Sequence, residues 1–160
     1  LAVTESVILD TGPLVAFMEN GESHHPWAVR QFKELPPCFL TCEAVLTETC
    51  FLLGFAPQAM EQIEKYLEEG WIQVPFQFSR EQSKVMGLMR TYRNVPMSFA
   101  DACLVRMSEL YDDLSILTLD HDFKIFRKNG QTSIPVIMSH NDMKSIRKSI
   151  ARGIAHERGL

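Results

Sequence analysis

The sequence has no apolar run long enough to cross a bilayer, which excludes a membrane-spanning helix. Its start lacks a basic segment followed by a long apolar stretch and a small-residue cleavage site, so nothing directs secretion and a cytoplasmic location is expected. Cysteine is scarce. Cys38, Cys42, Cys50 and Cys103 lie in apolar surroundings with no Cys-x-x-Cys pair, which argues against a zinc site and for buried, reduced thiols. His24-His25 has no metal-ligand spacing beside it and reads as surface loop. A Gly-x-Ser-x-Gly elbow and a Gly-x-x-x-x-Gly-Lys-Ser/Thr loop are both missing, which disfavours a serine hydrolase and a nucleotide triphosphatase. Internal repeats, low-complexity tracts and Gly/Ser/Pro linkers are also lacking, so nothing divides the chain.

What remains is a chain of 160 residues, 46% hydrophobic and 22% charged, which suffices for one core and is too short for two ordinary ones. The net charge of −4 does not advertise a nucleic-acid binder, but it is unevenly spread. Lys144, Arg147, Lys148, Arg152 and Arg158 against Glu157 give residues 144–158 a net +4, leaving −8 on the rest. The expected layout is a leader over residues 1–6, one domain over 7–138 and a basic helical tail over 139–160. In that tail Met143, Ile146, Ile150 and Ile154 form one stripe.

Strand and helix signals alternate throughout. Val7-Ile8-Leu9 reads as a buried strand ending in Asp10, and Thr11-Gly12-Pro13 opens a helix at once, with Asp10 or Thr11 as a possible cap. A helix follows from Pro26 through Phe32, then a strand over Cys38–Thr41 and a helix from Glu43 to Leu53. The last is apolar nearly all round and should be buried, with Glu48 on its most deeply packed face, where a carboxylate needs a partner. Pro57 to Glu69 is amphipathic, with Met60, Ile63, Tyr66 and Leu67 as its stripe and Gly70 closing it; Trp71–Val74 is a short strand. Ser79 and Gln82 have capping-box spacing before a stripe of Val85, Met86 and Met89. Ser98 and Asp101 have the same spacing, yet Asp101 also shares an inward face with Leu104 and Val105. Ile116–Leu119 ends in Asp120, in the place on its strand that Asp10 takes on the first; Asp122 is expected to cap a short helix from Phe123 to Arg127, and Val136-Ile137 to form an edge strand. The alternation implies an α/β fold with a mostly parallel sheet covered on both faces.

Such a sheet brings strand ends and helix starts to one edge, where Asp10, Glu48, Asp101 and Asp120 can meet. Carboxylates crowded to about 4 Å repel by about 4 kcal/mol per pair at a surface-like dielectric, so a positive charge is required between them. Oxygen-only ligands suit Mg²⁺ or Mn²⁺, and an acidic pocket holding such ions is an apparatus for phosphodiester hydrolysis.

The order VILDTGPLVAF, AVLTETCFLL, SFADACLV and ILTLDHDF resembles the PIN-domain nucleases, including the VapC-like toxin ribonucleases of bacterial toxin–antitoxin pairs, over about Val7 to Ile137. The resemblance implies a three-layer α/β/α sandwich and Mg²⁺- or Mn²⁺-dependent cleavage of RNA. Asp10, Glu48, Asp101 and Asp120 fall on the family's four acids. Asp10, Asp101 and Asp120 would hold the metal, and Glu48 would help to hold it or orient the attacking water. Asp122 matches an additional acid of many members, and Thr118 a hydroxyl residue that often precedes the fourth acid. Lys124, Arg127 and Lys128, nearest in sequence to Asp120, are candidates for substrate backbone contacts. An antitoxin and a homodimer are the implied protein partners, with the tail or the Pro57–Gly70 helix as candidate surfaces. The rival readings are a non-catalytic PIN-like module that binds RNA or a protein, and a DNA-directed nuclease or phosphatase using the same metals.

Overall fold

The computed structural model describes residues 6–139. The expected leader therefore lies outside the described residues except for Ser6, and the basic tail except for Ser139. Five two- or three-residue strands make one parallel sheet: β1 (Val7–Leu9), β2 (Phe39–Leu40), β3 (Ile72–Gln73), β4 (Ile116–Leu117) and a last strand at Val136–Ile137, in the order β3-β2-β1-β4-last. The chain first builds outward from β1 through β2 to β3, then returns to the other side of β1 for β4 and the edge strand. That reversal creates a switch point between β1 and β4, where the carboxyl ends of parallel strands leave a crevice.

Side chains alternate across a strand, and here each face has its own core. Val7, Leu9, Phe39, Ile72 and Leu117 pack with Leu14 and Ala16 of α1 (Thr11–Met18) and with Trp27, Ala28 and Phe32 of α2 (His25–Glu34). Phe32 stacks between Phe17 and Phe39, with ring centroids 4.2 and 4.5 Å away, which fixes both helices to the sheet. On the opposite face Ile8, Leu40 and Ile116 pack with Val45 of α3 (Glu43–Leu52), Val85 of α5 (Phe78–Thr91) and the inner side of α6 (Phe99–Leu110). Ile63 of α4 (Pro57–Glu68) is buried, and Gly70 ends that segment at φ 75, a conformation glycine takes without penalty. These layers are the expected three-layer α/β/α sandwich. No helix among the described residues is long and apolar enough to cross a membrane.

Several local expectations differ. Helix α3 is not buried all round: Val45 and Thr49 face inward, while Phe51 and Leu52 are 69% and 60% exposed, because the sheet covers one side of it only. Helix α5 begins at Phe78 with Gln77 as its cap residue and no side-chain cap bond, so Ser79 and Gln82 form no capping box. Met86 is exposed, since only Val85 lies fully on the packed side. His25 belongs to α2, where its Nδ1 lies 2.8 Å from the Ala16 carbonyl. All four cysteines are free, but Cys38 and Cys50 are only half-buried.

The expected helix from Phe123 to Arg127 is a single 3-10 turn, His121–Lys124, followed by an antiparallel hairpin of β5 (Arg127–Lys128) and β6 (Thr132–Ser133). Asn129 and Gly130 at the tip have φ 51 and 75, as a primed hairpin turn demands. The sheet's edge strand at Val136–Ile137 is thus β7. Buried Lys128 anchors the hairpin to the end of α6 through Asp112, with Nζ donating at 2.7 Å to Oδ1 and at 2.6 Å to the carbonyl.

Candidate active site

Asp10 is the first residue beyond β1 and the N-cap of α1. Strand pairing requires a buried backbone here, so the side chain arrives in the crevice almost fully covered, at 6% exposure. Both of its oxygens are occupied: Oδ1 accepts from Thr11 N at 2.7 Å and Oδ2 from Thr118 Oγ1 at 2.6 Å. Burial raises its pKa from 3.8 to about 7, against the pull of these two hydrogen bonds, and the negative fields of Asp101 and Asp120 add to the rise.

The pairing of Ile8 with Ile116 and Leu9 with Leu117 carries Thr118, not Asp120, to the place beside Asp10. Strand β4 ends two residues earlier than the apolar run suggests, because the chain leaves the sheet at Leu119, which packs against Gly12. A Cβ on Gly12 would meet Leu119 Cβ at 3.3 Å. Buried Thr118 then links the two acids: its hydroxyl donates to Asp10 and accepts from Asp120 N at 2.9 Å. Asp120 caps the 3-10 turn by accepting from Asp122 N at 2.8 Å through Oδ1, so the capping acid is Asp120 and not Asp122. Burial and the field of Asp120 push the Asp122 carboxyl up, partly offset by His121.

The capping box at α6 is present in full, since Asp101 N donates to Ser98 Oγ at 3.0 Å and Ser98 N to Asp101 Oδ2 at 2.8 Å. Asp101 is nonetheless buried. Its carboxyl is raised chiefly by that burial, against the lowering by Ser98, with Asp120 and Glu48 adding repulsion. Glu48 lies at the half-buried rim of α3 instead of its deepest face, and its Oε2 accepts from Thr11 Oγ1 at 3.0 Å. Thr11 thus joins the Asp10 turn to α3. The sequence gives its signal only as a hydroxyl after a strand-end acid, with nothing to reveal the partner.

All four acids therefore occupy one electrostatic neighbourhood at the switch point, and among the described residues none is ion-paired to Lys or Arg. They do not crowd into a ready-made cage: among the described residues no three Asp, Glu, His or Cys side chains are placed to hold a metal ion. The reason is local. Each carboxylate is turned onto a hydroxyl or amide donor of its own segment or its neighbour's. One oxygen of Asp101, Asp120 and Glu48 is used in this way, while Asp101 Oδ1, Asp120 Oδ2 and Glu48 Oε1 accept no hydrogen bond among the described residues.

Residues 7–129 match the model of the PIN domain, most of the chain and all four acids. The chain belongs to the PIN-domain family. No curated protein matches it. Among solved structures, it is similar to the Sarcin-Ricin loop cleaving toxin VapC20 of Mycobacterium tuberculosis, with a TM-score of 0.67 and 20% identity. The similarity covers 74% of this chain and 93% of that one. At that identity the likeness speaks for the fold, so the chemistry of this PIN domain rests on its own residues. Of its three cations expected near the site, Lys128 is spent on Asp112, and Arg127 Nη1 folds back onto the carbonyls of Lys124, Ile125 and Phe126. The Lys124 side chain is exposed and its ammonium has no partner among the described residues.

Proposed function

We propose that this PIN domain is a Mg²⁺- or Mn²⁺-dependent endoribonuclease acting as the toxin of a toxin–antitoxin pair. The observation that carries the reading is the division of labour within the carboxylates. One oxygen of Asp101, Asp120 and Glu48 is fixed by the fold, and the other accepts no hydrogen bond and meets no Lys or Arg among the described residues. An oxygen-only, unneutralised donor set fits a hard divalent ion. Mg²⁺ needs only one or two protein carboxylates and keeps most of its waters, so a preformed cage is unnecessary. When bound, the ion lowers the pKa of a water and neutralises charge building on the leaving oxygen.

The chain's own residues supply placement. Thr118 and the Thr11 amide hold Asp10 in one rotamer, and the Ser98 box does the same for Asp101. Asp101 and Asp120 are proposed metal ligands through their unbonded oxygens and Asp10 through the remaining lone pair of an oxygen already held by Thr11 or Thr118, with Asp122 as an outer acid. Glu48, tethered through Oε2, presents Oε1 to accept a proton from, or orient, the attacking water. Lys124 is the proposed contact to the RNA backbone. The name of VapC20 as a Sarcin-Ricin loop cleaving toxin supports extending RNA cleavage, a toxin role and an antitoxin partner to this chain. A homodimer is proposed on the family resemblance alone.

The test is cleavage of an RNA pool under Mg²⁺ or Mn²⁺ titration, with a matched DNA pool alongside. Metal-dependent RNA cleavage is expected, reduced about 100-fold or more by Asp10→Asn. Full activity in Asp10→Asn would refute the site. RNA binding without cutting at any metal concentration would establish the non-catalytic reading, and a preference for DNA would move the substrate.

A further inference from the structure

Two of the four cysteines lie outside the acid chemistry. Cys42 is the cap residue of α3 and Cys103 lies in the second turn of α6; both are 1% exposed, in one apolar cluster. Both side chains line a cavity of about 380 Å³ walled by Phe76, Phe78 and Phe99, and Cys103 lies close enough to Cys42 to perturb its thiol. Both residues meet this cavity only through the 1% of surface they leave exposed, which is the path open to a small molecule. Cys42 makes no side-chain cap bond, and the amides of Val45 and Ala44 in the first turn of α3 lie near its thiol. The Cys103 side chain, and then these amides, lower the Cys42 thiol from its ordinary value.

We propose that Cys42 and Cys103 form a reversible oxidation site for small peroxides that enter through this cavity. The Cys42 thiolate attacks the O–O bond of the peroxide. An S–O bond forms as O–O breaks, sulfur loses two electrons, and the peroxide is reduced to water or an alcohol after its leaving oxygen takes a proton. The Cys103 sulfur then attacks the sulfenic sulfur of Cys42. An S–S bond forms, the S–O bond breaks, and the oxygen departs as water with the Cys103 proton. A dithiol reductant restores both thiols and becomes its own disulfide. The bond joins α3, which carries Glu48, to α6, which carries Asp101, so oxidation fixes the spacing of two helices that meet at the acid crevice.

The test uses the full chain carrying Cys38→Ser and Cys50→Ser, treated with hydrogen peroxide while folded and read by intact mass and peptide mapping. The expected result is a loss of about 2 Da, a linked pair of peptides holding Cys42 and Cys103, and reversal by dithiothreitol. Adding Cys103→Ser should replace that loss with a gain of about 16 Da at Cys42, trapped by a sulfenic-acid nucleophile. Because the double serine variant can fail to fold, the unsubstituted chain is mapped in parallel for the same linked pair. Both thiols remaining alkylatable after treatment, or the link forming only in urea, would overturn the proposal.

Discussion

Replacing Asp10 by Asn should make the metal-free protein more stable above neutral pH, although it removes an acid of the proposed metal site. A carboxyl that ionises near 3.8 in the unfolded chain and near 7 in the fold disfavours the folded state once both forms are charged. At about 1.4 kcal/mol per tenfold change in acidity, the cost is about 4 kcal/mol. The sign follows from the direction of the shift. Because the folded value is raised, stability is fullest below pH 3.8, declines as pH rises toward 7 and levels off above it. Asn carries no charge to desolvate and still offers an oxygen to either the Thr11 amide or the Thr118 hydroxyl, but not to both. Losing one of these bonds costs about 1–3 kcal/mol, so a net gain of about 1–3 kcal/mol is expected at pH 8 in a chelator. Urea unfolding of both proteins from pH 4 to pH 8.5 measures this, with the gap widening between pH 4 and 7. Adding Mg²⁺ at pH 8 should raise the midpoint of the unsubstituted protein and leave Asp10→Asn nearly unmoved. A variant less stable than its parent at pH 8, or a gap independent of pH, would refute the argument that burial strains this carboxyl.

Thr118→Val keeps the shape of a fully buried side chain but removes the hydroxyl shared by Asp10 and Asp120 N. It should cost about 1–3 kcal/mol in urea unfolding and lower cleavage, most severely at low metal concentration. Ser98→Ala opens the capping box and should cost about 0.5–2 kcal/mol, measured the same way, while freeing Asp101 Oδ2 to reorient. Lys124→Ala should weaken RNA binding evenly across sequences and reduce the salt dependence by about one counterion, whereas Lys128→Ala should mainly destabilise the fold. Binding isotherms at several salt concentrations together with a melt separate the two.

What the sequence showed and what it hid divide by range. The strand into Asp10, the helix restarting at Thr11 and the Ser98–Asp101 box are local patterns, and each appears where expected. The exposure of Phe51 and Leu52 depends on which side of α3 the sheet covers, which composition around a helix does not encode. The place of Thr118 beside Asp10 depends on strand register, set by residues 108 positions apart. The hairpin carries a local signal, the Asn129-Gly130 dipeptide suited to positive φ, which stands just beyond the helix expected from Phe123 to Arg127. The roles of Arg127 and Lys128 followed the same path: proximity to Asp120 in the chain says nothing of carbonyls and carboxylates waiting nearby in space.

The two-sided growth of the sheet from β1 has a consequence for biosynthesis. A nascent chain that has emerged only through β3 holds Asp10 and Glu48 but neither Asp101 nor Asp120, and the second wing that forms the crevice has not yet been made. The proposed cutting centre is therefore withheld from a translating ribosome until the last third of the domain has left it. If the proposed activity holds, the protein would in this way be born inert.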